Sequence, residues 1–158
     1  MNKHINNLIV IRKNFLDLAD GLSLEQLNLV PEGFTNNIIW NIGHSLVTQQ
    51  MVTYKLAGHG CHVDGDMIRN YRKDSSPSGN VKPERWAEIR QLLIDTPDQL
   101  SEDLKTMDFS SFHSYTTSFG VTLESIEDAM RFNNIHESLH YGYALALRKA
   151  VLALVEKE

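Results

Sequence analysis

Cysteine is almost absent from this chain. Cys61 stands alone among 158 residues, so no disulfide can close within it, and an oxidising, exported setting is not suggested. Long hydrophobic runs are missing too. The run Leu8–Ile11 is cut off by Arg12, far short of a signal core or a membrane span, and the simplest expectation is a soluble cytoplasmic protein without a membrane partner. Lys and Arg form no blocks, and the net charge is -5 with a pI of about 5.8, so nothing electrostatic calls for nucleic acid. Internal repeats and low-complexity segments are also lacking. What remains is 42% hydrophobic residues over 158 positions, enough for one domain, residues 1–158, with a buried core.

The apolar residues fall at helical spacing. Ile5, Leu8, Ile9, Phe15, Leu16 and Ala19, with Arg12 on the same stripe, predict a first helix stopped at Gly21. Ser23 and Gln26 have capping-box spacing for a short connector, LEQLN, which Pro31 and Gly33 close. Thr35–Leu56 has no proline and predicts a second helix roughly 30 Å long, ended by Gly58. Glycine, serine and proline then break the periodicity from His59 to Lys82, which predicts a long crossover loop. A third helix starts near Pro83, and Thr96, Pro97 and Gln99 predict a break or kink within it. Residues 108–122 are β-branched and aromatic, in keeping with an extended strip or a small hairpin. A fourth helix runs from about Leu123 to Val155, with acids early and Arg148, Lys149 and Lys157 late, as the helix dipole favours. Together these predict an all-α fold: a four-helix bundle with a long crossover connection between helices two and three. Such bundles build sites from side chains on facing helices.

The chemistry concentrates in Arg131–Leu147, RFNNIHESLHYGYALAL. His136 and His140 are spaced i, i+4, so both imidazoles lie on one helix face, with Asn133 one turn earlier. Helix two carries a third imidazole, His44, on a stripe with Asn37, Trp40, Asn41 and Thr48. One histidine on such a face is readily explained as a hydrogen-bonded core residue. Three from two facing helices fit a divalent metal ion, with positions left open for water or substrate. HESLH also matches H-E-x-x-H, in which Glu137 serves as the base of a metalloprotease, but the longer metzincin spacing fails at Gly142 and a third carboxylate ligand has to come from Glu156 or Glu158. A one-residue step from His136 also turns Glu137 about 100° off the ligand face, which suits a solvated or inter-helix charge better. Asn41 and Asn133 are candidates for orienting the ligands, or else exposed polar residues. His59 and His62 beside Cys61 read as incidental loop histidines.

The stretches TNNIIWNIGHSLVTQQ and NNIHESLHYGYALALRKA resemble the two signature helices of the DinB/YfiT-like superfamily, in its DinB_2-type branch. The resemblance implies a four-helix bundle with a three-histidine metal site, and His44, His136 and His140 as its ligands. Members of known activity are thiol-dependent transferases and isomerases that use bacillithiol or mycothiol. The family continues its second histidine with x-Gly-Gln, whereas this chain has Gly142 followed by Tyr143, a change at the pocket wall or beside the ligands.

The expected function is therefore that of a metal-dependent enzyme. Zn²⁺ or Ni²⁺ on the three histidines lowers the pKa of a thiol or water, giving S-transfer to a small electrophile or hydrolysis of a small amide or ester. The resemblance favours transfer, with a low-molecular-weight thiol as cosubstrate. The other class of reading is a non-catalytic helical interaction module. Tyr141, Tyr143, Leu145, Leu147, Val151 and Leu154 make helix four apolar on several sides, so a homodimer is expected.

Overall fold

Asn2 opens the first helix. Its side chain accepts the His4 N–H at 2.8 Å, satisfying one donor that a helix start leaves free. In the computed structural model, which describes residues 2–155, helix α1 then runs Lys3–Asp20 and ends at Gly21, as predicted, with Ile5, Leu8, Arg12, Phe15, Leu18 and Ala19 buried. The predicted capping box also forms. Ser23 Oγ accepts the Gln26 N–H while Gln26 Oε1 accepts the Ser23 N–H, starting α2, Leu24–Asn28.

The second long helix starts later than Thr35 and ends differently from the prediction. Asn37 caps it by accepting the Trp40 N–H at 2.8 Å, α3 spans Ile38–Gln50, and a π-helical turn, Met51–Lys55, continues it. Such turns recur at functional sites. Every α3 residue except Thr48 is buried, which makes α3 the central helix.

Residues 59–82 are not all loop. Asp64 accepts the Met67 N–H at 2.6 Å and caps α4, Gly65–Tyr71. Met67 and Tyr71 pack into the main core, a one-turn stripe too short for periodicity to reveal.

Helix α5, Pro83–Thr106, runs through Pro97 without the predicted break. Proline leaves the Leu93 carbonyl without its usual donor. Thr96 and Pro97 are nevertheless buried, and Thr96 Oγ1 donates to the Leu92 carbonyl at 2.7 Å while accepting from Arg12. Packing therefore overrides the local stop signal. Residues 108–122 do supply a hairpin arm: β1, Tyr115–Thr116, pairs antiparallel with β2, Thr122–Leu123, and Tyr115 stands opposite Leu123. Leu123 thus belongs to the ribbon, and the last helix, α6, is Ile126–Val155. Glu156, Lys157 and Glu158 lie outside the described residues.

The protein is all-α apart from that small ribbon. Helix α6 packs on α3 and α1, and α1 packs on α5. Three apolar core regions result among the described residues, a small one of Val52, Leu123, Ala129 and Phe132 and two others. Of these two, one gathers Phe15, Leu46, Leu93 and Ala144, and the other Ile5, Tyr54, Leu100 and Met130. Along α1, α3, α5 and α6 the polar residues Arg12, Gln49, Thr96 and Glu137 fall between these two sets. Leu147 and Val151, expected on a dimer face, are fully buried core, whereas Tyr143, Leu145 and Leu154 stay about 40% exposed. No helix among the described residues is long and apolar enough to cross a membrane.

Candidate metal centre

Helices α3 and α6 bring the three predicted histidines together. One ligand atom from each of His44, His136 and His140 lies within 4.8 Å of the others, and the ring centroids are 4.5 to 5.1 Å apart. The i, i+4 spacing on α6 aligns two rings, and the α3–α6 contact supplies the third.

Hydrogen bonds orient two of these rings. His44 Nδ1 lies 2.7 Å from the Tyr71 carbonyl, which can only accept, so Nδ1 carries the proton and Nε2 keeps its lone pair. His140 Nδ1 lies 2.8 Å from Asn41 Oδ1. The Asn41 amide nitrogen donates to Asn36 Oδ1 and to the Asn37 carbonyl, so the oxygen end must face the histidine. Asn41 is fully buried, not an exposed helix polar residue. Trp40 stacks on His44 with centroids 4.6 Å apart and planes 8° from parallel, and Thr48 Oγ1 lies 3.4 Å from His44 Nε2. His136 differs: its Nδ1 is buried and has no partner among the described residues. A buried imidazole nitrogen without a partner, beside two further imidazoles, fits the donor set of a divalent cation.

Gly43 makes the Tyr71 contact possible. A Cβ at this position would stand 2.6 Å from the Tyr71 ring, so only glycine lets α4 lie this close to α3. Gly142, the glycine after His140, has no such neighbour, and a Cβ there would meet nothing within 4 Å.

Burial also sets the charge state of the rings. It pushes His136 down to about 3, with repulsion from His140 and His44 acting the same way. It pushes His140 down to about 4, again with a contribution from His44. His44 is lowered by burial against the opposing pull of the Tyr71 carbonyl. All three rings are therefore neutral at pH 7, the form that binds metals.

The trio forms part of the wall of a cavity of about 460 Å³, which Phe119 and Phe132 also line and which, among the described residues, no carboxylate and no cysteine reaches. The turn of the hairpin arm contributes Thr117, Ser118 and Phe119.

Glu137 is directed elsewhere. Its carboxylate is fully buried and takes two hydrogen bonds from Arg12, at 2.9 Å from Nη2 and 3.2 Å from Nε. Asn133 Nδ2 donates to the same carboxylate at 2.9 Å. Both predicted candidates thus belong to a buried inter-helix network, in which Asn133 Oδ1 has no hydrogen-bond partner among the described residues. Glu137 is not solvated, Asn133 is not exposed, and neither lines the metal cavity. Tyr143 is also outside that cavity; it is partly exposed and meets Phe34 edge-on at 5.7 Å. Of the loop residues, His59 bonds to the Asp108 carbonyl and His62 to Asp103, and neither joins the trio. Sequence reasoning missed the Tyr71 carbonyl, which leaves no side-chain signal. Arg12 on an apolar stripe was the available sign of the buried network.

Among curated proteins no sequence matches this chain. Among solved structures, a conserved protein from Enterococcus faecalis superposes with a TM-score of 0.65 over 97% of this chain and 99% of its own, at 12% identity, a likeness of fold alone. The sequence profile of the DinB superfamily spans residues 8–144, which include all three histidines, and the chain belongs to that superfamily.

Proposed function

We propose that this protein is a metal-dependent S-transferase acting on small electrophiles, with His44, His136 and His140 as the metal ligands. The observation that carries the reading is the neutral histidine trio on the wall of a cavity that no carboxylate among the described residues lines. A divalent ion, Zn²⁺ or Ni²⁺, supplies there the lowering of a nucleophile's pKa to the neutral range. The Tyr71 carbonyl and Asn41 hold two of the rings through Nδ1, which leaves Nε2 as the ligand atom, met at His44 only by the Thr48 hydroxyl at 3.4 Å. Phe119, Phe132 and Leu139 form apolar wall for the electrophile. In the transfer the thiol sulfur bonds to the electrophilic carbon, the leaving group departs with its electron pair, and the thiol proton passes to solvent. No cysteine lines the cavity, so the sulfur comes from a free low-molecular-weight thiol.

Hydrolysis of amides or esters is the weaker reading, because Glu137, the obvious base, is locked against Arg12. We also read α1, α3, α5 and α6 as the four members of a bundle. Homodimerisation through exposed α6 residues such as Leu145 and Leu154 belongs to the same proposal, and sedimentation velocity checks it.

The test is a screen of Zn²⁺- and Ni²⁺-loaded protein with bacillithiol, mycothiol, glutathione or cysteine against 1-chloro-2,4-dinitrobenzene. Metal- and thiol-dependent chloride release, lost in His140→Ala, is the expected result. Thiol-independent cleavage of p-nitrophenyl acetate, equally lost in His140→Ala, would favour hydrolysis. No turnover of either kind by loaded protein would overturn the enzyme reading.

A further inference from the structure

The cavity beside the histidines is charged in a way the chain as a whole is not. The protein carries 20 acidic and 15 basic residues, yet Lys55, Arg72 and Lys73 line this cavity with no acidic residue among its described walls. Elsewhere basic side chains are commonly neutralised: Lys13, Arg69, Arg85, Arg90, Lys105 and Arg131 all sit in ion pairs. Among the described residues the three cavity cations have no such partner.

Two of them are also held close to the histidines. Arg72 directly follows Tyr71, whose carbonyl takes the His44 proton, and Lys73 comes next. The turn that presents them is pinned on its far side, where Ser75 Oγ donates to the Arg72 carbonyl at 2.7 Å and accepts the Trp40 indole N–H at 3.2 Å. Asp74 adopts φ 65°, a left-handed conformation that aspartate tolerates better than most residues. The backbone under this cation pair is therefore fixed before any ligand arrives, which lowers the cost of binding. Phe119, Phe132, Val47 and Leu139 supply apolar wall in the same cavity.

From this arrangement we propose that the cavity takes a small amphiphilic anion, whose terminal oxyanion, a carboxylate or phosphate, is held by Arg72 and Lys73 and whose apolar body lies against the aromatic wall. This deepens the metal-enzyme reading by naming the charge and shape of its substrate. Arg72 supplies a planar fork of donors suited to an oxyanion, and Lys73 adds a second positive charge.

The test compares ligands that share one apolar body: 4-phenylbutyrate, 4-phenylbutyl phosphate, 4-phenylbutanol and 4-phenylbutylamine. Binding is measured by calorimetry on metal-loaded and on chelator-stripped protein, with metal content assayed separately. The expected result is that one of the two anions binds wild type about tenfold or more tighter than the alcohol, in both metal states. In Arg72→Ala/Lys73→Ala that preference disappears while alcohol binding and metal content are unchanged, and in Arg72→Glu/Lys73→Glu the amine becomes the preferred ligand. Whichever anion binds tighter identifies the headgroup. Equal binding of acid and alcohol, or an anion preference unaffected by the double alanine variant, would overturn the proposal. So would a preference that vanishes on metal removal, since the ion alone would then hold the oxyanion. Wild type without metal would instead overturn the metal reading, and the ligand series on that protein would still decide the charge preference.

Discussion

His136 and Glu137 are neighbours in sequence and opposites in structure. The histidine faces a cavity, next to two other imidazoles, with a ring nitrogen that no group among the described residues satisfies. The glutamate faces the interior between α1, α3 and α5, where Arg12 binds it twice, Asn133 once, and Arg12 reaches on to Thr96 and Gln49. A single 100° step around α6 separates the two settings. The contrast shows what an open polar cluster and a closed one are each suited to. The Arg12–Glu137 pair, whose hydrogen bonds are made, locks helices in register, even though Asn133 Oδ1 beside it has no partner among the described residues, whereas three neutral imidazoles grouped on a cavity wall are fitted to bind a metal. It also disposes of the H-E-x-x-H match, since the glutamate of a protease motif has to reach the metal-bound water, and Glu137 is held by Arg12 away from the cavity.

The contrast is sharpest in acid. In the metal-free protein His136 and His140 have folded pKa values of about 3 and about 4, below the ordinary value of about 6.5. The unfolded chain therefore takes up protons first as the pH falls. Stability contributed by the neutral rings is complete above about pH 6.5 and declines toward about pH 4, by about 1.4 kcal/mol per pH unit per ring. Urea denaturation of chelator-stripped protein across this range shows the loss, and saturating Zn²⁺ reduces it near neutrality by stabilising the folded state.

Breaking the closed cluster has the next largest effect. Arg12→Met or Glu137→Leu alone leaves an uncompensated buried charge and costs about 3–5 kcal/mol. The double variant recovers most of that, and a double-mutant cycle by urea denaturation measures the coupling. Neither partner touches the histidines, so a folded double variant retains its metal.

Gly43→Ala acts on the open cluster by steric means. The added methyl displaces the Tyr71 ring, costs about 1–3 kcal/mol as overpacking, and weakens metal binding by loosening the carbonyl that orients His44. Thermal melts and metal titration read the two effects separately. Asn41→Ala removes the acceptor at His140 Nδ1 and lowers metal affinity by about 10- to 100-fold, as competition with a chromogenic chelator would show.

Much of this organisation was legible in the residues. The spacing of His136 and His140 and the polar stripe on α3 located the trio, and Ser23 with Gln26 announced the connector helix. Other elements were hidden for definite reasons. Pro97 is a local breaker whose effect is overruled by the burial of Thr96 against Arg12. Helix α4 is two turns long, below what periodicity can resolve. Asn133 lies one turn before His136 in the helical pattern, yet its amide turns to Glu137, because only a packed partner decides which way a short side chain points. The Tyr71 carbonyl is a backbone atom, and Gly43, which admits its ring, reads in sequence as an ordinary helix interruption.

The most direct measurement is elemental metal content of untagged protein, comparing wild type, His44→Ala, His136→Ala and the Arg12→Met/Glu137→Leu pair. The account predicts about one equivalent of Zn or Ni in wild type, none in either histidine variant, and retention in the pair, as expected for a site with three protein ligands. Wild type that takes up no metal after incubation with Zn²⁺ and Ni²⁺, or a folded Arg12–Glu137 double variant that loses it as completely as His136→Ala, would contradict the account.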